Sequence, residues 1–203
     1  MNDLSEKIIA HYERHATDWD ADRRSSGWND RKWHERFTAL LHPGAAVLDL
    51  GCGGGFPVAS HLADQGMRVT GVDSSASLIA LCRDRLPDHA WIVSDMRVLN
   101  LAGTFDGILV WDSFFHLNPD DQRAMFAVFA AHAHRDTVLM FNTGPAFGEA
   151  IGSYRSDPLY HASLDPGEYE QLLVRHGFNR IDRAIEDPQA GGRTVWLAQA
   201  MLS

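Results

Sequence analysis

The chain has 203 residues, 45 % of them hydrophobic and 22 % charged, and a formal net charge of −9. That is enough apolar material for one well-buried core, and too ordinary a composition for a disordered chain. The negative charge repels phosphate backbones and anionic bilayers, so neither nucleic acid nor a membrane surface is the expected partner. Cys52 and Cys82 stand outside any C-x-x-C pair, the N-terminus lacks a signal-peptide pattern, and no apolar run approaches the roughly 18 residues of a membrane span. A cytoplasmic setting is expected.

Residues 3–20 are predicted helical from the spacing of Ile8, Ile9 and Tyr12, and residues 29–41 from that of Trp33, Phe37, Leu40 and Leu41. The polar stretch 18–28, with Ser25-Ser26-Gly27, reads as a loop between them. His42-Pro43-Gly44 closes this N-terminal helical part, residues 1–44, and the pattern then changes. Residues 45–50 are an apolar run ending in glycines, a buried strand. A helix over 57–65 follows, with Pro57 in its first turn and Gly66 at its end. Strand 68–72, helix 75–86, and strands 91–93 and 105–110 continue the alternation. Asn118-Pro119-Asp120-Asp121 starts a helix, with a cap, a proline and two acids at the positive end of the dipole. His132 and His134 close it as favourable charges or solvated residues. Residues 137–141 are the fifth strand. Residues 142–165 show no clear secondary structure, and a connection of that length is usually functional or mobile. Asp165-Pro166-Gly167-Glu168 opens the last helix, and strands 179–185 and 193–199 can pair as a hairpin. Strands alternating with helices predict one α/β domain over residues 1–203, with a mostly parallel sheet and ligands at the carboxyl ends of its strands.

Chemistry concentrates after the first two strands. Asp49-Leu50-Gly51-Cys52-Gly53-Gly54-Gly55 lets the backbone turn sharply and lets a ligand approach where no Cβ stands. The helix that follows offers free N–H groups. Such a loop suits a dinucleotide pyrophosphate or the amino-acid end of S-adenosylmethionine. The second strand ends in Asp73, about 20 residues on, where an acid accepts ribose hydroxyls or caps the next helix. A nicotinamide fingerprint needs a third small residue at position 56; Phe56 and then Pro57 stand there instead.

The D-x-G-x-G-x-G pattern at 49–55, with Asp73 ending strand 2, resembles the class I S-adenosylmethionine-dependent methyltransferases, over about residues 45–199. The resemblance implies a Rossmann-like seven-stranded sheet of order 3-2-1-4-5-7-6 with strand 7 antiparallel, residues 1–44 as a helical cap on a cofactor-binding core, and S-adenosyl-L-methionine as cofactor with S-adenosyl-L-homocysteine as product. It implies cofactor contacts from Asp49, Gly51, Cys52, Gly53 and Gly55, from Asp73 and Ser74, from Asp95 and Met96 after strand 3, and from Trp111 after strand 4. Asp95 is either the partner of the adenine amine or a solvent-facing loop acid.

The segment Trp111-Asp112-Ser113-Phe114-Phe115-His116 resembles the small-molecule branch and lacks the [DN]-P-P-[YF] motif of adenine and glutamine N-methyltransferases. His116 is the candidate general base, its ordinary pKa lying near neutrality, or else a packing residue that holds the next helix. Tyr12, Trp19, His116, Asn142, Tyr160 and His161 are the expected substrate-facing residues, with Trp28, Tyr154 and Arg155 near them in sequence, or else the aromatics among them simply pack helices together. His11 and His15 share a helix face, but no third ligand is evident nearby, so no metal is expected. The reading is an enzyme that methylates a small molecule. Its rivals are a non-catalytic protein that keeps the fold and, less favoured, an NAD(P)-dependent oxidoreductase.

Overall fold

The computed structural model describes residues 2–201. Three helices, α1 (Asn2–Glu6), α2 (Ile8–Ser25) and α3 (Arg31–Ala39), precede the first strand, β1 (Ala46–Leu50). Strands and helices then alternate: α4 (Val58–Asp64), β2 (Arg68–Asp73), α5 (Ala76–Arg85), β3 (Ala90–Val93), β4 (Phe105–Val110), α6 (Pro119–Ala131) and β5 (Ala133–Thr143). The chain continues through β6 (Gly148–Tyr154), β7 (Asp157–Ser163), α7 (Pro166–Arg175), β8 (Phe178–Asp187) and β9 (Arg193–Ala200). Among the described residues no helix is long and apolar enough to cross a membrane.

Seven strands form one sheet in the order β3-β2-β1-β4-β5-β9-β8. The first five are parallel, and β9 runs antiparallel to both β5 and β8. With β6 and β7 set apart as a hairpin, this is the expected seven-stranded order. The period-2 alternation of strand side chains sorts the core onto two faces. Leu48, Ile108, Leu139, Phe141 and Trp196 pack against Met125, Phe126 and Phe129 of α6 and Tyr169 and Leu172 of α7. Val47, Leu109, Met140 and Leu197 pack against Trp33 and Phe37 of α3, Leu62 of α4 and Ile79 of α5. Helices on both faces explain why the strands are continuous apolar runs rather than alternating ones.

Three expectations are corrected. The stretch 18–28 is a loop only beyond Ser25, because α2 runs on to that residue. Its polar residues are a helix face turned toward charged partners. Both Asp20 oxygens receive Arg85 at 2.6 Å, and Asp22 receives the Tyr154 hydroxyl at 2.7 Å. The connection 142–165 is not irregular. β5 reaches Thr143, and β6 and β7 pair in register from Gly148↔Ser163 to Tyr154↔Asp157. The two-residue turn is Arg155-Ser156, with φ of 49° and 70°. Such turns are dominated by Asn and Gly, so this one left no signal in the sequence. His132 is neither a solvated nor a helix-end charge. It is buried, its Nε2 accepts the Leu101 N–H at 3.0 Å, and its Nδ1 donates to the Val128 carbonyl at 2.8 Å.

Candidate cofactor cleft

The order of the sheet reverses at β1, which has β2 on one side and β4 on the other. The carboxyl ends of such strands leave a crevice. Here it is a cleft of about 1070 Å³, its open mouth included, walled on one side by α2. Gly51 begins the turn out of β1 with φ of 77°, and a Cβ there would stand 2.3 Å from that of Ser113. Only glycine lets β1 and the segment after β4 approach this closely. At Gly54 a Cβ would meet an Asp20 carboxylate oxygen at 2.2 Å, so the loop lies directly against α2.

Most of the cofactor-contact residues expected from the sequence meet in this cleft. Asp49, Gly51, Cys52 and Gly53 line it from the β1 loop, and Asp73 and Ser74 from the end of β2. Asp95 and Met96 line it after β3, and Trp111 and His116 after β4. Tyr12 and Trp19 line it from α2, in edge-to-face contact at 5.2 Å. The remaining expected residues lie elsewhere. Gly55 packs toward Cys82 and Leu86. The Tyr160 ring is buried and its hydroxyl donates to Glu149 at 2.9 Å. His161 packs beside Phe115 and His116. Asn142 is buried and clamps Asp112, accepting its N–H at 2.8 Å and donating to its carboxylate at 2.9 Å. Trp28 stacks near His34 and His61, and Tyr154 near His11, His15 and Trp19.

The acids of the cleft differ in how they are satisfied. Asp73 accepts the Gly53 N–H at 2.9 Å on one oxygen and the Ser75 N–H at 2.9 Å on the other, leaving lone pairs on both. Asp95 caps its own turn through the Arg97 N–H at 2.9 Å and receives the Arg97 guanidinium at 2.6 Å, which also reaches Asp121. It is therefore neither free nor simply solvated. Asp49 is the exception. It is buried, its Oδ2 has no hydrogen-bond partner, and burial with the nearby Asp73 charge pushes its carboxyl up to about 7. A buried acceptor without a donor is costly.

His116 is buried between two partners. Its Nδ1 lies 2.8 Å from the Tyr160 carbonyl, which can only accept, so Nδ1 carries the proton. Its Nε2 therefore accepts the Tyr12 hydroxyl at 2.7 Å. Burial drives its pKa down to about 3 and raises that of Tyr12, so both are neutral. In this arrangement the imidazole lone pair is occupied by the Tyr12 hydroxyl. It orients Tyr12.

A network below Trp111 escaped sequence reasoning. Asp112 follows β4 with φ of 51°, and Arg193 grips its two oxygens at 2.6 and 2.7 Å. Asp30, fully buried, accepts the Trp111 indole N–H at 2.8 Å and lies 3.5 Å from both Arg23 and Arg193. Arg23 also stands 3.6 Å from Asp112 and lines the cleft. No local pattern announces a set drawn from α2, the start of α3, the end of β4 and the start of β9.

Residues 47–136 match the family described as a methyltransferase domain. That stretch is 90 of the chain's 203 residues. One curated protein the chain is similar to is the dTDP-3-amino-3,6-dideoxy-α-D-glucopyranose N,N-dimethyltransferase of Streptomyces fradiae, 35 % identical over 47 % of this chain and 38 % of that protein. Another is the magnesium-protoporphyrin O-methyltransferase of Rhodobacter capsulatus, 31 % identical over 71 % of this chain and 63 % of that one. The chain thus spans less than two thirds of the length of either. Among solved structures, Burkholderia thailandensis 1,6-didemethyltoxoflavin-N1-methyltransferase superposes with a TM-score of 0.76 at 19 % identity, covering all of this chain and 90 % of that one. At that identity the likeness is one of fold.

Proposed function

We propose that this chain is an S-adenosylmethionine-dependent methyltransferase acting on a small molecule, with residues 1–44 as a cap over a cofactor core. The observation that carries the reading is the Asp49 carboxyl, which lines the cleft beside the glycine loop and whose buried Oδ2 has no hydrogen-bond partner. A buried acid in that place calls for a cation. S-adenosylmethionine is cationic at its sulfonium and α-ammonium groups. A nicotinamide dinucleotide would instead bring a pyrophosphate dianion against Asp49 and Asp73, which disfavours the oxidoreductase reading.

The residues present suit the cofactor piece by piece. Asp49 would take the ammonium, and Arg23, whose ion pairs are all at 3.5 Å or longer, the α-carboxylate. The free lone pairs of Asp73 would take the ribose hydroxyls, with Ser74 beside it. Met96 would pack on the adenine, and Asp95, shared with Arg97, would receive its amine. Gly51, Cys52 and Gly53 would leave room for the methionine chain, while Gly55 acts only through packing on α5.

When bound, the cofactor supplies a sulfonium-activated methyl group that a nucleophile displaces in line. The protein aligns donor and acceptor and excludes water. Tyr12 donates its hydroxyl hydrogen bond to His116, so its oxygen turns lone pairs toward an incoming N–H or O–H. Trp19 and Trp111 supply apolar walls. The acceptor is proposed to be small, in keeping with the aminosugar and toxoflavin-precursor methyltransferases among the similar proteins. Calorimetric titration with S-adenosylhomocysteine, alongside NADH and the variant Asp73→Ala, tests the reading. Micromolar binding of the homocysteine compound, weakened in the variant and absent for NADH, is expected. A folded protein that binds neither would overturn it.

A further inference from the structure

His11 and His15 stand one turn apart on α2, and the third ligand that the local sequence lacks arrives from 142 residues away. Asp157, at the start of β7, places Oδ2 at 2.8 Å from Nε2 of His15. One ligand atom from each of His11, His15 and Asp157 lies within 4.8 Å of the others. Among the described residues this is the one such cluster of three. A second observation points the same way: His11 is only 6 % exposed, and its Nε2 has no hydrogen-bond partner. A buried imidazole nitrogen left unpaired is unfavourable, whereas a metal ion satisfies its lone pair.

We infer that His11, His15 and Asp157 form a site for a divalent transition-metal ion of the zinc type, which clasps α2 to the β6–β7 hairpin. Two imidazoles and a carboxylate suit borderline cations, and three protein ligands leave a fourth position for water. Tetrahedral zinc with bonds of about 2.0–2.1 Å sets its ligand atoms about 3.3 Å apart, so the three groups need shifts of about an ångström. Arg14 holds Asp157 at 2.5 Å. It is largely exposed, so its release to solvent costs little. The ring of Tyr154 packs edge-on against both imidazoles at 6.1 and 5.7 Å and limits their rotation. None of the three ligands lines the cofactor cleft, but Tyr12 and Trp19 of the same helix do. The site stands independently of the proposed activity.

The full chain, stripped with a chelator, is titrated with Zn²⁺ by calorimetry and with Co²⁺ by absorption. One equivalent of each is expected to bind. The cobalt spectrum should show visible bands of a nitrogen- and oxygen-ligated ion without thiolate charge transfer. His15→Gln and Asp157→Asn should each weaken uptake at least about tenfold. Should a variant lose its fold, the imidazole NMR signals of the wild type decide: Zn²⁺ should shift those of His11 and His15 and leave His116 unmoved. Failure of the folded wild type to take up one equivalent overturns the site. So do equal uptake by both folded variants and a thiolate-type cobalt spectrum, which would place the ion at Cys52 and Cys82.

Discussion

Two buried side chains in the cleft owe their state to desolvation, with opposite consequences. Burial raises the Asp49 carboxyl to about 7, against roughly 4 for an unfolded carboxylate. The folded, ligand-free chain therefore holds a proton that the unfolded chain has released. Stability contributed at this position is lost as pH rises from about 4 to about 7, by an amount on the order of 4 kcal/mol at most. Thermal melts of wild type and Asp49→Asn across that window should diverge, the variant holding its stability better at the upper end. A cation favours the ionised acid, so S-adenosylhomocysteine should bind with proton release below pH 7, a release missing in Asp49→Asn. Calorimetry in buffers of different ionisation enthalpy measures it, and identical proton counts would count against the role of Asp49. For His116, nitrogen NMR should find the neutral Nδ1–H tautomer throughout pH 5–8, since its pKa is depressed to about 3. A titration near 6.5 would favour it as a candidate base.

Among the elements, the β6–β7 hairpin is the one whose local sequence works against it. Arg155 and Ser156 both occupy the left-handed region, where a side chain costs about 1 kcal/mol or more. Tertiary contacts offset this cost. Leu159, Tyr160, Ala162 and Ser163 of β7 are buried, and Gln122 of α6 donates to the Ala162 carbonyl at 2.9 Å. The tip is held to α2 by Asp22, which receives Tyr154 and Arg155. Ser156→Gly should therefore stabilise the protein by about 0.5 kcal/mol, after the entropy cost of glycine. The gain should appear as slower amide exchange confined to residues 148–163. Unchanged or faster exchange there would mean that the turn is not strained.

Across the molecule, the N-terminal helices and the last strand are joined through buried charge. Arg193 of β9 neutralises Asp112 after β4 and stands near Asp30 before α3, which in turn holds Trp111 at the cleft. Removing one partner of such a set strands the other charges in the interior. Arg193→Ala is expected to lower stability by about 3 kcal/mol, read from urea unfolding, and to weaken S-adenosylhomocysteine binding by loosening Trp111. A loss below about 1 kcal/mol would show that Arg23 alone can balance the two acids.

The parallel sheet and the glycine loop were legible in the sequence because both are local. Apolar runs of strand length, Gly51 to Gly55 on a tight turn and Asp73 at a strand end are patterns within a few residues. The caps at Asn118 and Asp165 were equally plain. What remained illegible depends on partners distant in the chain. The last turns of α2 read as loop because their polar face meets Arg85 and Tyr154. The hairpin was hidden because burial, rather than turn residues, sets it. The tautomer of His116 was decided by Tyr12 and the Tyr160 carbonyl, 104 and 44 residues away, and its low basicity by burial. The third group beside His11 and His15 came from Asp157. Residue types and local periodicity thus determined the architecture and the glycine loop. Desolvation and long-range pairing, which exist only once the chain is folded, decided the charge, the tautomer and the partners of each side chain in the cleft.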